Sequence, residues 1–446
     1  MTNLIERDQA VLWHPYTQHQ LPPLPLAISR AEGAYLFDEE GKAYLDLISS
    51  WWITVHGHAH PKIAEAIYKQ ALKLDQIIFA GFTHEPAVRL GEKLLQLLPT
   101  GFSKVFYSDN GAAAIEVALK MAYQYWRNRA QPERRRILAF AKGYHGDTLG
   151  CMSVGQSSMI FEQFKDLCFK VDIAPFPSTW INDQEVEFKE RQALEWIEGY
   201  FLQHPAEVAA LIIEPLVQAT AGMRFCRPEF LRALERLARE HQVLVIYDEV
   251  MTGFSRTGAT FACQKAKTKP DLICLAKSLT GGFLPLSATV CDQEMYQAFL
   301  GDDFNSALAH GHTYAGNPLG CAAALATLEL LEAPATQLQI QLLEQTHQEM
   351  LPLVAALPGV SQIRYCGTIA AFRAIDQAAF GSALSHRWRD SFQAAGLILR
   401  PIGDTVYLMP PYCLSQAELV AAYEKMARII QQLNMDKTSE HCHAFS

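Results

Sequence analysis

Between about residues 104 and 291 the hydrophobic positions alternate between two patterns. Short, nearly continuous apolar runs (KVFYSD, RILAF, ALIIEP, VLVIYDEV, LICLA and SATVC) are separated by longer stretches such as AAAIEVALKMAYQYW, ALEWIEGYFLQH and PEFLRALERLAREH. In the longer stretches apolar residues return every three or four positions, the spacing of one helix face. Apolar runs without a polar side belong to strands covered on both faces. Their alternation with amphipathic helices predicts an α/β fold: a mostly parallel sheet with helices on both sides.

The flanks read differently. The first 50 or so residues are irregular and Pro-rich (HQLPPLPLA), then strand-like, with AYLFDEEGKAYLDL predicting a hairpin that turns at Gly41. A helical pattern begins at Pro61, with Ile63, Ile67 and Leu74 on one face. Near the C-terminus two long helical patterns flank SQIRYCG and TVYLMPP. This divides the chain into an N-terminal segment 1–55, a large domain 56–330 and a smaller α+β domain 331–446. Chain ends commonly meet at the surface, so the N-terminal strands are expected to join the smaller domain.

Composition narrows the class. Half the residues are hydrophobic, 19% are charged and the net charge is −9, which is globular and does not favour nucleic acid or an anionic membrane. Arg134, Arg135 and Arg136 follow Pro132 and read as a solvated loop edge before a strand. The ten cysteines are scattered, without a C-x-x-C pair, which predicts thiols in a reducing compartment instead of a disulfide framework. The N-terminus lacks the apolar core of a secretory signal, and no stretch reaches the roughly 20 apolar residues of a membrane span. The expectation is a soluble, cytoplasmic protein.

Ligands of open α/β sheets bind beyond the carboxyl ends of the strands, so chemistry is sought there. After KVFYSD, Asn110-Gly111 opens a helix whose first amides suit a phosphate, although an ordinary capped helix has the same appearance. VLVIYDEV places Asp248 and Glu249 at the end of a buried strand, where a carboxylate requires a partner; a salt bridge or a helix cap also satisfies that need. LICLAKSLTGG ends an apolar run at Lys277. A desolvated lysine there becomes a neutral amine suited to Schiff-base chemistry, whereas one that snorkels to solvent does not. KGYHGDT puts Tyr144 and His145 between glycines, and HGHTYAGNPLG places Thr313 in a glycine-punctuated loop. Together these form a phosphate cradle, an acid for a pyridine nitrogen, an aromatic cover and a reactive lysine, the parts pyridoxal 5′-phosphate needs. Neither G-x-G-x-x-G nor G-x-x-x-x-G-K-[ST] occurs.

DEVMTGFSRTG, LAKSLTGGFLPLSA and HGHTYAGNPLGCAAA resemble the signatures of the class III pyridoxal-phosphate aminotransferases of fold type I, and the likeness runs essentially end to end. WHPYTQ, SSWW, GYHGDTLG and LRPIGDTVYLMPPY resemble one branch of that class, which acts in biotin biosynthesis. The resemblance implies ping-pong amine transfer to 8-amino-7-oxononanoate, giving 7,8-diaminononanoate. The implied donor is S-adenosylmethionine, with lysine as the donor in some relatives. It implies that Lys277 bonds the cofactor and moves the proton, that Asp248 holds the pyridine nitrogen, and that Tyr144 covers the ring. Gly111 and Ala112 would bind the phosphate, joined by Thr313 with His312 from the other subunit of a homodimer. Arg400 would pair with the carboxylate of the keto acid. Tyr16, Trp51, Trp52 and Tyr407 would line the substrate cavity, with Gly311 at its edge and Arg256 near its entrance. His312 stands where the pattern more often has Pro or Gly, and Ser255 replaces a glycine.

Two other readings compete. One is a class III enzyme for another ω-amino acid, such as 4-aminobutyrate, ornithine or acetylornithine; Tyr16, the Trp51-Trp52 pair and Arg400-Pro401 weigh against it. The other is a zinc hydrolase using His56, His58 and His60 of HGHAHP, which would share a face on a regular strand. Gly57 and the His60-Pro61 step disrupt such a strand, so no metal is expected there.

Overall fold

In the computed structural model, residues 3–21, 24–155, 159–374, 378–379 and 381–443 are described. Pro22 and Pro23 of the Pro-rich stretch lie outside them. A seven-stranded sheet forms the centre, in the order Phe102–Ser108, Ser287–Asp292, Leu272–Leu275, Leu244–Asp248, Val208–Ile213, Arg136–Phe140 and Asp172–Ala174. Only Ser287–Asp292 runs antiparallel to its neighbours; the other pairings are parallel. All six apolar runs are strands, and all six residues of Val208–Ile213 are buried. The seventh strand, Asp172–Ala174, is a three-residue edge strand too short to give a periodic signal.

The helices Gly111–Asn128, Val186–Gln203 and Pro228–Glu240 coincide with the amphipathic segments. The sheet divides the core. Ala114, Val117, Ala118 and Met121 of the first helix pack with Ile212, Ile246 and Cys274 on one face. Phe230, Leu231 and Leu234 of the third pack with Leu211, Val245 and Ile273 on the other.

Away from this sheet, Tyr35–Asp38 and Ala43–Asp46 form the expected antiparallel hairpin, with Gly41 at φ +83° in its turn, where a Cβ is disfavoured. Ala43–Asp46 then pairs in parallel with Leu397–Ile398, so the two ends of the chain meet in one four-stranded sheet. Ser361–Cys366, Ile369–Arg373 and Thr405–Leu408 form a third sheet, against which Pro334–Ala355 packs. Among the described residues no single helix is long and apolar enough to cross a membrane.

Candidate active site

Six chemically active residues lie at or just beyond the carboxyl ends of the central strands. Gly111 opens a helix after Ser108, Tyr144 and His145 come after Phe140, and Glu214 comes after Ile213. Asp248 ends its own strand and Lys277 comes two residues after Leu275. Parallel strands aim these ends the same way, so the sheet gathers in space what the sequence spreads over more than 160 positions. Between them lies a cavity of about 380 Å³, beside a second of about 410 Å³ lined by Tyr16, Trp51, Arg400 and Tyr407. Trp52, Tyr144, Asp147 and Lys277 line both.

Lys277 sits at φ +39°, a left-handed conformation that a non-glycine residue adopts only under constraint. Among the described residues nothing hydrogen-bonds its Nζ, which lies 5.2 Å from the centre of the Trp52 ring. Burial lowers its pKa, against the opposing pull of Asp248 and Glu214. The site thus holds an amine favoured in its neutral, nucleophilic form.

Asp248 answers the lysine from the neighbouring strand. Its Oδ1 accepts from the Val250 amide at 3.0 Å, and its Oδ2 accepts from His145 Nδ1 at 2.7 Å in a nearly dry pair. Glu249 points to the opposite side, as strand alternation requires, and accepts from the Ala262 and Cys263 amides at 2.6 and 2.8 Å. Of the two carboxylates, only Asp248 faces the cavity. Burial raises the Glu249 carboxyl from 4.5 to about 7. The folded chain therefore holds this proton more tightly than the unfolded chain. The resulting stabilisation is complete below about pH 4.5 and is lost as pH rises through about 7. Glu249→Gln cannot ionise, so its melting temperature is expected to vary less with pH across that window; calorimetry showing the wild-type slope would contradict this.

At the other end of the deeper cavity, Asn110 caps the helix by accepting from the Ala113 amide at 2.9 Å. The Gly111 and Ala112 amides precede any possible helical acceptor and are left as donors. A Cβ on Gly111 would stand 2.8 Å from Val250 Cγ1, so the close packing of this turn requires glycine. Free amides at a positive helix end, an acceptor carboxylate and an unpaired amine line one slot, a donor set that fits pyridoxal phosphate.

The outer cavity is aromatic. Tyr16 and Tyr144 both donate to Asp147, at 2.6 and 3.2 Å, and the Tyr16 and Trp51 rings meet edge-on at 5.8 Å. Burial, then Asp147, pushes the Tyr16 hydroxyl up to about 12, and burial raises Tyr144 as well, so both remain protonated donors. Trp52 Nε1 donates to the Tyr407 hydroxyl at 3.0 Å. The Arg400 guanidinium lies 4.8 Å over the Trp51 ring and has no hydrogen bond among the described residues. A half-buried cation with unused donors facing a cavity is suited to a carboxylate.

One expectation from the sequence differs from the structure, and two other segments take positions that bear on their expected roles. Arg256 does not stand at the entrance: it is fully buried, donating to the Pro410 and Trp52 carbonyls at 2.8 and 3.2 Å beneath the Tyr412 ring. The positive φ values of Phe254 and Ser255 turn this loop inward. Gly311 and Thr313 are exposed and line neither cavity of their own chain, and His312 pairs with Asp109 at 3.0 Å. The three histidines do not share one set of partners, although the His56 and His60 rings meet edge-on at 6.3 Å. His56 donates to the Thr327 carbonyl and His58 to Asp46, while His60 Nδ1 has no partner. Among the described residues no group of His, Cys, Asp and Glu is arranged to hold a metal.

Glu214 is a further site residue, one that its sequence context does not single out. It accepts from the Tyr144 and Ala219 amides at 3.0 and 2.9 Å, tying together two loops of the cavity wall. Burial raises its carboxyl to about 7. Its signal, a carboxylate closing the apolar run ALIIEP, is the same one that marks Asp248.

A sequence profile for class III aminotransferases matches residues 16–430, and the chain belongs to that family. It is 48% identical, over 95% of its length and 99% of the relative's, to the adenosylmethionine-8-amino-7-oxononanoate aminotransferase of Synechococcus elongatus. The crystal structure of the enzyme of that name from Methanocaldococcus jannaschii superposes with a TM-score of 0.89 at 35% identity, covering 96% of this chain and 98% of that one. An amine transaminase from an uncultivated Pseudomonas species, in its pyridoxal-phosphate-bound form, gives 0.88 at 29% identity over 95% of this chain and 98% of its own.

Proposed function

We propose that this chain transfers an amino group to 8-amino-7-oxononanoate, forming 7,8-diaminononanoate in biotin biosynthesis, with pyridoxal phosphate as cofactor. The observation that carries the reading is the Lys277–Asp248 slot sharing four lining residues with an aromatic cavity that Arg400 also lines. Relatives at up to 48% identity over nearly the whole chain bear the corresponding name. When bound, the cofactor supplies a carbonyl that condenses with amines and a ring that accepts electron density from the carbon alongside.

The remaining work falls to the chain. Gly111 and Ala112 would donate to the phosphate, and Asp248, held by His145, would accept from the protonated ring nitrogen. Lys277 Nζ, uncharged through burial, would carry a proton between the amine-bearing carbon and the cofactor's carbonyl-derived carbon, in one direction in the first half of the cycle and the reverse in the second, ending each half neutral. Tyr16 and Tyr144, fixed by Asp147, offer hydroxyls to the bound substrate. Trp51 and Trp52 offer flat faces that an alkyl chain and a sulfonium can both contact, which suits a cavity serving two unlike substrates in turn.

S-adenosylmethionine as the amino donor is part of the proposal. Mixing the purified yellow enzyme with S-adenosylmethionine or with lysine tests it: bleaching of the visible band by S-adenosylmethionine alone is expected, and bleaching by lysine alone would reassign the donor. Arg400→Ala is expected to raise KM for the keto acid about 10- to 100-fold with a smaller effect on kcat, the worth of a charge-assisted pair. Arg400→Lys should recover only part, because an ammonium cannot make the bidentate contact. Steady-state kinetics checks both, and an unchanged KM would remove Arg400 from substrate recognition.

We also propose a homodimer in which Thr313 and His312 reach the phosphate of the partner's site. Thr313 lies exposed on a loop that carries Tyr314, 57% exposed, and Phe304 and Trp13 are 77% and 91% exposed. Apolar surface of this kind suits a subunit interface. A cytoplasmic location completes the reading, supported by free thiols such as Cys151, Cys263 and Cys274.

A further inference from the structure

The tryptophans of the outer cavity stand on a strained turn. Ser49, Ser50 and Trp52 all have positive φ, of 49°, 58° and 69°, and Ser50 combines its φ with ψ −92°, close to the rare γ-turn conformation. Such a conformation persists only where its surroundings over-determine it, and it concentrates near functional sites. The agent here is Asp46, wholly buried at the end of its strand. Its Oδ1 accepts from the Ile48 amide at 3.1 Å, and its Oδ2 accepts from the Ser50 amide at 2.6 Å and the Ser50 hydroxyl at 3.4 Å.

Oδ2 is shared with His58, whose Nε2 lies 2.9 Å away in a side chain only 11% exposed. The His58 amide donates to the Gly33 carbonyl at 2.7 Å, and the Asp46 amide to the neighbouring Ala34 carbonyl at 2.8 Å, so both partners hang from one stretch of backbone. The turn is fixed from below, while above it Trp51 meets Tyr16 and Arg400, and Trp52 meets Tyr407 and Lys277.

We propose that Asp46 and His58 are positioning residues for amine transfer: His58 locks the Asp46 carboxylate, the carboxylate holds the Ser50 turn, and the turn aims Trp51 and Trp52 at the substrates. Neither residue lines the cavity, so they act only through the tryptophans. The inference rests on the proposed transamination for its substrates, though not for its geometry.

The test is a double-mutant cycle in the cofactor-loaded enzyme, read by KM and kcat and by near-ultraviolet circular dichroism. His58→Ala is expected to raise KM for 8-amino-7-oxononanoate about tenfold with kcat changed less than about threefold, and to alter the tryptophan dichroism. In a Trp51→Ala background the same substitution should change KM by less than about twofold. His58→Gln places an amide donor where Nε2 stands and should restore wild-type values, whereas His58→Asn, which is too short, should not. If His58→Ala does not fold, His58→Asn takes its place with the same expectations. A full His58 effect in the Trp51→Ala background, an unmoved KM, or failure of His58→Gln to restore it would overturn the proposal. If the wild type does not turn over the keto acid, the functional reading fails; the dichroism comparison of His58→Ala, His58→Gln and wild type still decides the positioning claim, unchanged dichroism refuting it.

Discussion

Lys277→Ala is expected to reduce amine transfer by more than about ten-thousand-fold and to leave the loaded protein without its yellow colour. The size of the loss reflects two tasks that fall to one amine. In the proposed reaction its nitrogen would bond the cofactor and then move the proton at the reacting carbon, and a positioned general base alone contributes about 10²- to 10⁴-fold. No nearby group can substitute: Glu214 and Asp248 are engaged by backbone amides and by His145, and the tyrosines stay protonated. Borohydride reduction and subsequent peptide mass analysis should place the cofactor's mass on Lys277 in the wild type and on no residue of the variant. Residual activity above about one per cent would assign the base elsewhere.

Asp248→Asn is expected to cost about 10²- to 10³-fold in kcat, in the range found when one preorganised electrostatic partner of a transition state is removed. An amide has nearly the same shape but no charge with which to hold a proton on the ring nitrogen, so the ring becomes a poorer acceptor of electron density. The substitution also leaves His145, 1% exposed at its side chain, without its carboxylate. Single-turnover kinetics with saturating donor separates this loss from weaker cofactor binding. A fall of less than tenfold with full cofactor occupancy would contradict the role given to Asp248.

The parts of the site that are legible in the sequence obey one physical rule. Strand ends in a parallel sheet converge, so Gly111, Tyr144, Asp248 and Lys277 each stand out as the polar or small residue at or just past the end of an apolar run. Glu214 obeys the same rule but is hidden, because its proline neighbour reads as an ordinary strand exit. Asp147 is hidden for another reason: its role is to join Tyr16 to Tyr144, and a contact across 131 positions has no local pattern. Arg256 shows the converse. Its motif implied a place near the substrate, yet two positive-φ residues before it turn the side chain into the interior. Periodicity marks the six core strands but not Asp172–Ala174 or Leu397–Ile398, which are too short to show a period and are held by their neighbours. The glycine and proline of HGHAHP already argue in the sequence against one shared histidine face; His56 and His60 still meet edge-on, while His58 turns to Asp46 and supports the tryptophans beside it.

The identity of the amine acceptor is the most direct point of test. Purified enzyme loaded with pyridoxal phosphate, given S-adenosylmethionine and 8-amino-7-oxononanoate, is expected to release 7,8-diaminononanoate, identified by mass spectrometry, and to leave 4-aminobutyrate and ornithine unreacted. Transfer from 4-aminobutyrate or ornithine, with 8-amino-7-oxononanoate ignored, would contradict it.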